Sequence, residues 1–181
     1  MERKIIFAGP VGAGKTTAVA AISDIPVVST EGAATDDVAL RKARTTVAMD
    51  YGVLHLADGG KVHLYGAPGQ DRFDFMWDIL TVGGIGLVLM LDQMRPDPVA
   101  DLDHYLDAFG GFIKRTDGAM VVGVSRMDLC ADATVEPIRA RLLQRGLNVP
   151  VFEVDARDRE DIRQLLLALL SLLDPAVRRF R

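Results

Sequence analysis

Short apolar runs alternate with stretches of helical apolar spacing along the whole chain, the pattern of an α/β fold with a mostly parallel sheet. Residues 4–8 read as a buried strand and residues 16–21 as the opening of a helix. A polar, irregular stretch at 29–46 follows, long enough within a compact domain to be a functional loop. Residues 47–57 and 61–67 flank Asp58-Gly59-Gly60, which predicts an antiparallel hairpin with Val62 and Leu64 on one face. A three-residue turn there sets His55 opposite His63; with no third ligand, a simple cross-strand pair outweighs a metal site. Residues 71–80 have helical character, and the unbroken apolar run 85–92 is that of a central strand. Leu102, Leu106, Phe109 and Ile113 give residues 98–115 helical spacing. A strand at 120–124, a helix at 135–145, a strand at 150–154 and a closing helix at 158–173 complete the reading.

Composition narrows the class. The 181 residues suit one domain spanning 1–181, and 49% hydrophobic with 25% charged residues is the balance of a soluble globular chain. A net charge of −4 argues against a nucleic-acid surface. One cysteine, Cys130, excludes an internal disulfide framework and suits a reducing cytosol. The chain enters its first strand with no signal peptide ahead of it and carries no lipidation motif. The apolar run 165–173 is too short to span a bilayer, so a cytoplasmic protein without an integral membrane segment is expected.

The chemistry starts at Gly9-Pro10-Val11-Gly12-Ala13-Gly14-Lys15-Thr16, a match to the phosphate-cradling G-x-x-x-x-G-K-[ST] pattern. A strand before it and a helix after it supply the required context. Glycines let successive N–H groups turn inward as an anion nest, and the helix start adds unpaired N–H groups and a positive dipole end. Lys15 is placed to reach β- and γ-phosphates, and the Thr16 hydroxyl to bind Mg²⁺. A nucleoside triphosphate is the implied ligand. Ligands of open α/β sheets lie beyond the carboxyl ends of the strands. There Asp128 can accept from guanine N1–H and the exocyclic amine, a donor pair that adenine lacks, although Asp after a strand is also a common helix cap. The backbone of Asp155-Ala156-Arg157, after the next strand, can meet the guanine oxygen. Asp92, at the end of an apolar run, looks like a metal-binding carboxylate but reads better as a cap for its own loop.

Together these stretches resemble the Ras-like small GTPases over nearly the whole chain. Thr46 looks like the switch I threonine, and Gly69-Gln70 like the Gly-Gln of switch II. Ser125-Arg126-Met127-Asp128 and Asp155-Ala156-Arg157 stand at the two base loops. The stretches Thr45-Thr46-Val47-Ala48-Met49-Asp50-Tyr51-Gly52 and Leu64-Tyr65-Gly66-Ala67-Pro68-Gly69-Gln70 resemble prokaryotic members, the MglA-type polarity switches and the GTPases of bacterial conservon operons. The resemblance implies a P-loop, three-layer fold and a GTP/GDP switch with slow hydrolysis that relays its state to a protein partner. Its nucleotide site would comprise Gly9, Val11, Gly12, Ala13, Gly14, Lys15, Thr16, Thr17, Thr46, Gly69, Ser125, Arg126, Asp128, Asp155, Ala156 and Arg157. Thr16 and Thr46 would hold Mg²⁺, Gln70 would orient the attacking water and Lys15 would assist. Arg41 or Arg44 reads as solvated loop charge, with a built-in arginine finger as the sharper alternative. Phe73, Phe75, Met76 and Trp77 are too many large apolar residues for one buried helix face, and mark a candidate surface for a regulator or effector. Three positions depart from the pattern: Gly66 replaces the Mg²⁺-shell aspartate, Val11 crowds the γ-phosphate, and Arg126 replaces a lysine. A P-loop small-molecule kinase and a nucleotide-holding scaffold without turnover are the other readings.

Overall fold

The alternating runs build one seven-stranded sheet in the computed structural model, which describes residues 2–29, 49–70 and 74–173. The elements are β1 (Glu2–Ala8), α1 (Lys15–Ile22), β2 (Val28–Ser29), β3 (Asp50–His55), β4 (Lys61–Gly66), α2 (Asp74–Thr81), β5 (Gly84–Asp92), α3 (Pro98–Ala108), α4 (Gly110–Arg115), β6 (Met120–Ser125), α5 (Glu136–Gln144), β7 (Val151–Val154) and α6 (Arg159–Leu173). The spatial order is β2-β3-β4-β1-β5-β6-β7. β3 runs antiparallel to β2 and β4, and every other pairing is parallel. This is the expected α/β fold, a mostly parallel sheet with one antiparallel hairpin.

Side chains alternate across the central strands, so each run feeds two cores. Ile6, Leu87, Leu89 and Leu91 face α2, α3 and α5, where they meet Trp77, Leu102, Tyr105 and Ile138. Ile5, Phe7, Val88 and Met90 face α1 and α6, meeting Val19, Ile22, Leu165 and Leu169. Burial on both faces is why these strands read as continuous apolar runs. The parallel registers end the strands on one edge: Asp92 pairs with Ser125, and Ser125 with Val154.

Four expectations need correction. The helix expected over 98–115 is divided at Phe109, because Gly110-Gly111 weakens helical continuation. The two-residue edge strand β2 is too short to leave a periodic signal. In the hairpin, the Leu56 amide donates to the Gly60 carbonyl at 2.9 Å, so the turn is Ala57-Asp58-Gly59 and His55 faces Lys61, not His63. His63 instead stacks on Tyr51, with Nδ1 2.8 Å from the tyrosine oxygen, while His55 turns to Asp24. The fourth correction concerns the proposed partner surface. Trp77 is 3% exposed, packed against Tyr105 and Phe109, and its indole N–H donates to the Pro68 carbonyl at 3.0 Å. Met76 is half-buried, and Phe73 lies outside the described residues. Among the described residues of this stretch, Ile79 and Val82 stand in solvent.

Trp77→Ala should therefore cost about 3–5 kcal/mol of stability through cavity formation. Ile79→Ser, on the exposed side of the same helix, should change stability by less than about 0.5 kcal/mol. Denaturant titration of both variants separates a core tryptophan from a surface one.

Candidate functional site

Between β1 and α1 the chain turns through Gly9–Gly14, with Gly12 and Gly14 at positive φ. Gly14 caps α1 with no side-chain hydrogen bond, so the first N–H groups of the helix point out of its end. A Cβ on Gly14 would lie 2.8 Å from that of Ala156, which brings this loop against the loop after β7. Lys15 is buried, and its ammonium donates to the carbonyls of Gly9 and Pro10 at 2.7 Å each. Burial lowers its pKa to about 8, opposed in part by the charge of Asp50. A buried ammonium beside a ring of backbone N–H groups is a site for a polyanion.

The loops after β6 and β7 extend this cradle into a cleft of about 330 Å³. Gly12, Ala13, Gly14 and Thr17 line it from the loop after β1 and the start of α1, and Ser125, Arg126, Asp128, Asp155, Ala156 and Arg157 from the ends of β6 and β7. The Ser125 hydroxyl is buried, 3.1 Å from the Ala13 and Leu91 carbonyls. Arg126 has a left-handed backbone and two partners: it donates to Asp92 at 2.6 Å and to the Gly12 carbonyl at 3.0 Å. The arginine thus reaches the phosphate loop from this position. Asp92 is buried and spends its other oxygen on the Met94 amide at 2.9 Å, the loop cap expected from sequence. Asp128 sits exposed on a single 3₁₀ turn, Met127–Leu129. The Asp155 carboxylate is held by Arg157 through backbone and side chain, which draws its pKa down to about 2. The amides flanking Ala156 are both engaged, that of Asp155 by Asp161 and that of Arg157 by Asp155. Leu129, an exposed apolar wall of the cleft, escaped the sequence reading; its only signal is its place next to Asp128.

On the other flank of the phosphate loop lies the segment after β4. Gly69 presses on the loop: a Cβ there would lie 2.7 Å from Lys15 Nζ and from the Val11 nitrogen, and 2.8 Å from the Gly9 oxygen. The Gly69 carbonyl also lies 3.4 Å from the Tyr105 hydroxyl, which donates to it. Gln70 is exposed next to this contact, and the Val11 side chain is 56% exposed at the loop's turn. Thr46, Arg41 and Arg44 lie outside the described residues.

Asp50 is the functional candidate that sequence reading missed. It starts β3, is 8% exposed, and its Oδ2 accepts the Thr16 hydroxyl at 2.5 Å. It pairs across the ladder with Gly66. The register expected from the turn was displaced by two positions, which set Asp50 beyond Gly66 and hid the pairing. Among the described residues no group of three or more histidine, cysteine or acidic side chains is placed to share a metal. A hydroxyl and a carboxylate beside a phosphate cradle nevertheless suit Mg²⁺, a hard cation that keeps most of its shell as water and phosphate oxygen.

No helix among the described residues is long and apolar enough to cross a membrane. The chain is 31% identical over 123 residues to "Uncharacterized protein MJ1339" of Methanocaldococcus jannaschii, an alignment that covers 64% of this chain and 71% of that protein. The family described as "Conserved hypothetical ATP binding protein" matches residues 26–175, most of the chain. That match overturns the Ras-like resemblance of the MglA and conservon type. The motifs behind the resemblance mark a phosphate cradle and a base cleft, which nucleotide-binding P-loop sheets share, so they do not separate one branch from another. The chain is a nucleotide-binding protein and belongs to the conserved hypothetical ATP binding protein family.

Proposed function

We propose that this protein binds guanine nucleotides with Mg²⁺ and hydrolyses GTP slowly to GDP and phosphate, relaying its bound state to a protein partner. The observation that carries the reading is the cleft, which Asp128 and Ala156 line together with Gly12, Ala13 and Gly14 of the phosphate loop. A carboxylate at the base end prefers guanine, whose N1–H and amine form a donor pair. The triphosphate would lie along the Gly12–Gly14 amides, with Lys15 leaving the Gly9 and Pro10 carbonyls for β- and γ-oxygens. Bound Mg²⁺ would supply charge neutralisation at those oxygens, held by Thr16 and by Thr46. Water would attack the γ-phosphorus, the bond to the bridging β-oxygen would break, and the water proton would pass to the phosphate. Gln70 would orient that water, and Lys15 would balance charge growing on the bridge. Gln70 is exposed, so little holds it in a catalytic pose, which favours slow intrinsic turnover and leaves its ordering to a partner. The description of the family favours ATP, and the comparison of bases decides between the two.

GTP should compete with a fluorescent guanine nucleotide far better than ATP does. Asp128→Asn should weaken GTP by about 1–3 kcal/mol, in keeping with loss of a charged bidentate contact, and should admit xanthosine triphosphate. Equal or tighter ATP binding by the wild type would sink the guanine reading. Gln70→Ala should lower phosphate release with little change in nucleotide affinity; unchanged turnover removes Gln70 from the mechanism.

Lys15 generates a pH dependence. Its folded pKa of about 8 lies below the usual 10.5, so above pH 8 the folded protein holds fewer protons there than the unfolded chain. Its contribution to the stability of the ligand-free protein therefore rises between pH 8 and 10.5, and is lost as the pH falls through 8. A bound triphosphate favours the ammonium, so binding at pH 8.5 takes up a proton and affinity falls as the pH rises from 8 to 9. Calorimetry at pH 8.5 in two buffers of different ionisation enthalpy should register that uptake. Lys15→Met should abolish it, and an affinity independent of pH over this window would exclude Lys15 from phosphate contact.

A further inference from the structure

We propose that Asp50, at the start of β3, is the carboxylate of the divalent-cation site. The inference rests on reading the cleft as a Mg²⁺–nucleotide site and is independent of which base is bound.

Three observations converge on it. Thr16, the residue of the phosphate-loop motif whose hydroxyl faces the cation, donates that hydroxyl to Asp50 Oδ2 at 2.5 Å. A carboxylate that takes the proton leaves a lone pair of the hydroxyl oxygen to turn toward a cation. Asp50 also sits directly across the ladder from Gly66. A Cβ built on Gly66 would lie 3.0 Å from both Cβ and Oδ2 of Asp50. The Asp50 carboxylate therefore occupies the very space that a side chain at position 66 would enter. Finally, Asp50 is buried beside the phosphate loop, near enough for its charge to favour the ammonium of Lys15. A buried carboxylate is costly unless it meets a positive charge, and a divalent ion at the Thr16 hydroxyl would provide one. Mg²⁺ sites on nucleotides commonly use one or two carboxylates and keep several waters, which need acceptors in the second shell. Asp50 acts through Thr16 and those waters, so it is a positioning residue.

The alternative is that Asp50 merely pins the start of β3 to α1. The two roles differ in what they do to the metal. Mn²⁺ replaces Mg²⁺ as an electron-spin probe of the protein–nucleoside diphosphate complex, formed with GDP or ADP, whichever binds tighter. Asp50→Ala should weaken Mn²⁺ in that complex by about 10–100-fold, the usual effect of losing an outer-shell partner. The loss of nucleotide affinity should be larger by a similar factor with Mn²⁺ present than in EDTA. Asp50→Asn keeps an oxygen that can accept from Thr16 but removes the charge, and should show most of the same loss. The double variant Asp50→Gly with Gly66→Asp, which returns the carboxylate from the opposite strand, should recover Mn²⁺ binding relative to Asp50→Gly alone.

Unchanged Mn²⁺ affinity in Asp50→Asn overturns the inference. An equal loss of nucleotide affinity with and without divalent ion also overturns it, since that is the signature of a structural pin. Failure of the wild-type protein to bind either diphosphate in any divalent ion is a different result: it sinks the nucleotide reading of the cleft, and the role of Asp50 with it.

Discussion

The carbonyl oxygens of the phosphate loop have to be turned away from the ligand if its amides are to face inward, and this chain ties four of them to three side chains. Lys15 takes the carbonyls of Gly9 and Pro10, Arg126 that of Gly12, and the Ser125 hydroxyl lies at that of Ala13. Four of the loop's carbonyls, those of Gly9, Pro10, Gly12 and Ala13, are thus held by residues at the start of α1 and the end of β6. Neither could reach the loop unless β1, β5 and β6 stopped at one edge, which the parallel registers ensure. The sheet is in this sense the jig in which an anion hole is set.

The same ties link the two ends of the cleft. Arg126 joins Asp92 on β5 to the Gly12 carbonyl, so one side chain ties the end of β5 and the loop after β6 to the loop after β1. Gly69 and Gln70 approach the phosphate loop from its other flank. Their segment is anchored from behind by Trp77 on α2 and Tyr105 on α3, through the carbonyls of Pro68 and Gly69. The segment that carries Gly69 and Gln70 is thus fastened to the α2–α3 face of the sheet, whereas Lys15 starts the helix that packs on the other face.

Much of this was legible in the residues. The glycine spacing, the Lys-Thr pair and the polar residues ending apolar runs have local signatures, and they fall around one cleft. What was missed depends on contacts distant in sequence. Trp77 looked like surplus apolar surface because nothing local announces that Tyr105 and Phe109 will stack over it. Leu129 had only its neighbour to recommend it. Asp50 was hidden by the hairpin register: Asp58-Gly59-Gly60 fits a three-residue turn as well as Ala57-Asp58-Gly59 does, and a slip of two places carries the aspartate past its partner. Family membership failed for another reason. A phosphate cradle is chemistry, and shared chemistry is a poor guide to descent.

The closeness of Asp50 to Gly66 bears on how such sites change over evolutionary time. The two positions have room between them for one side chain of any length, so neither can be altered without regard to the other. A lineage that moves a carboxylate from one strand to the other has to pass through a step with two crowded acids or with none. Such intermediates are costly, which should make each arrangement persist once adopted and turn the pair into a heritable marker.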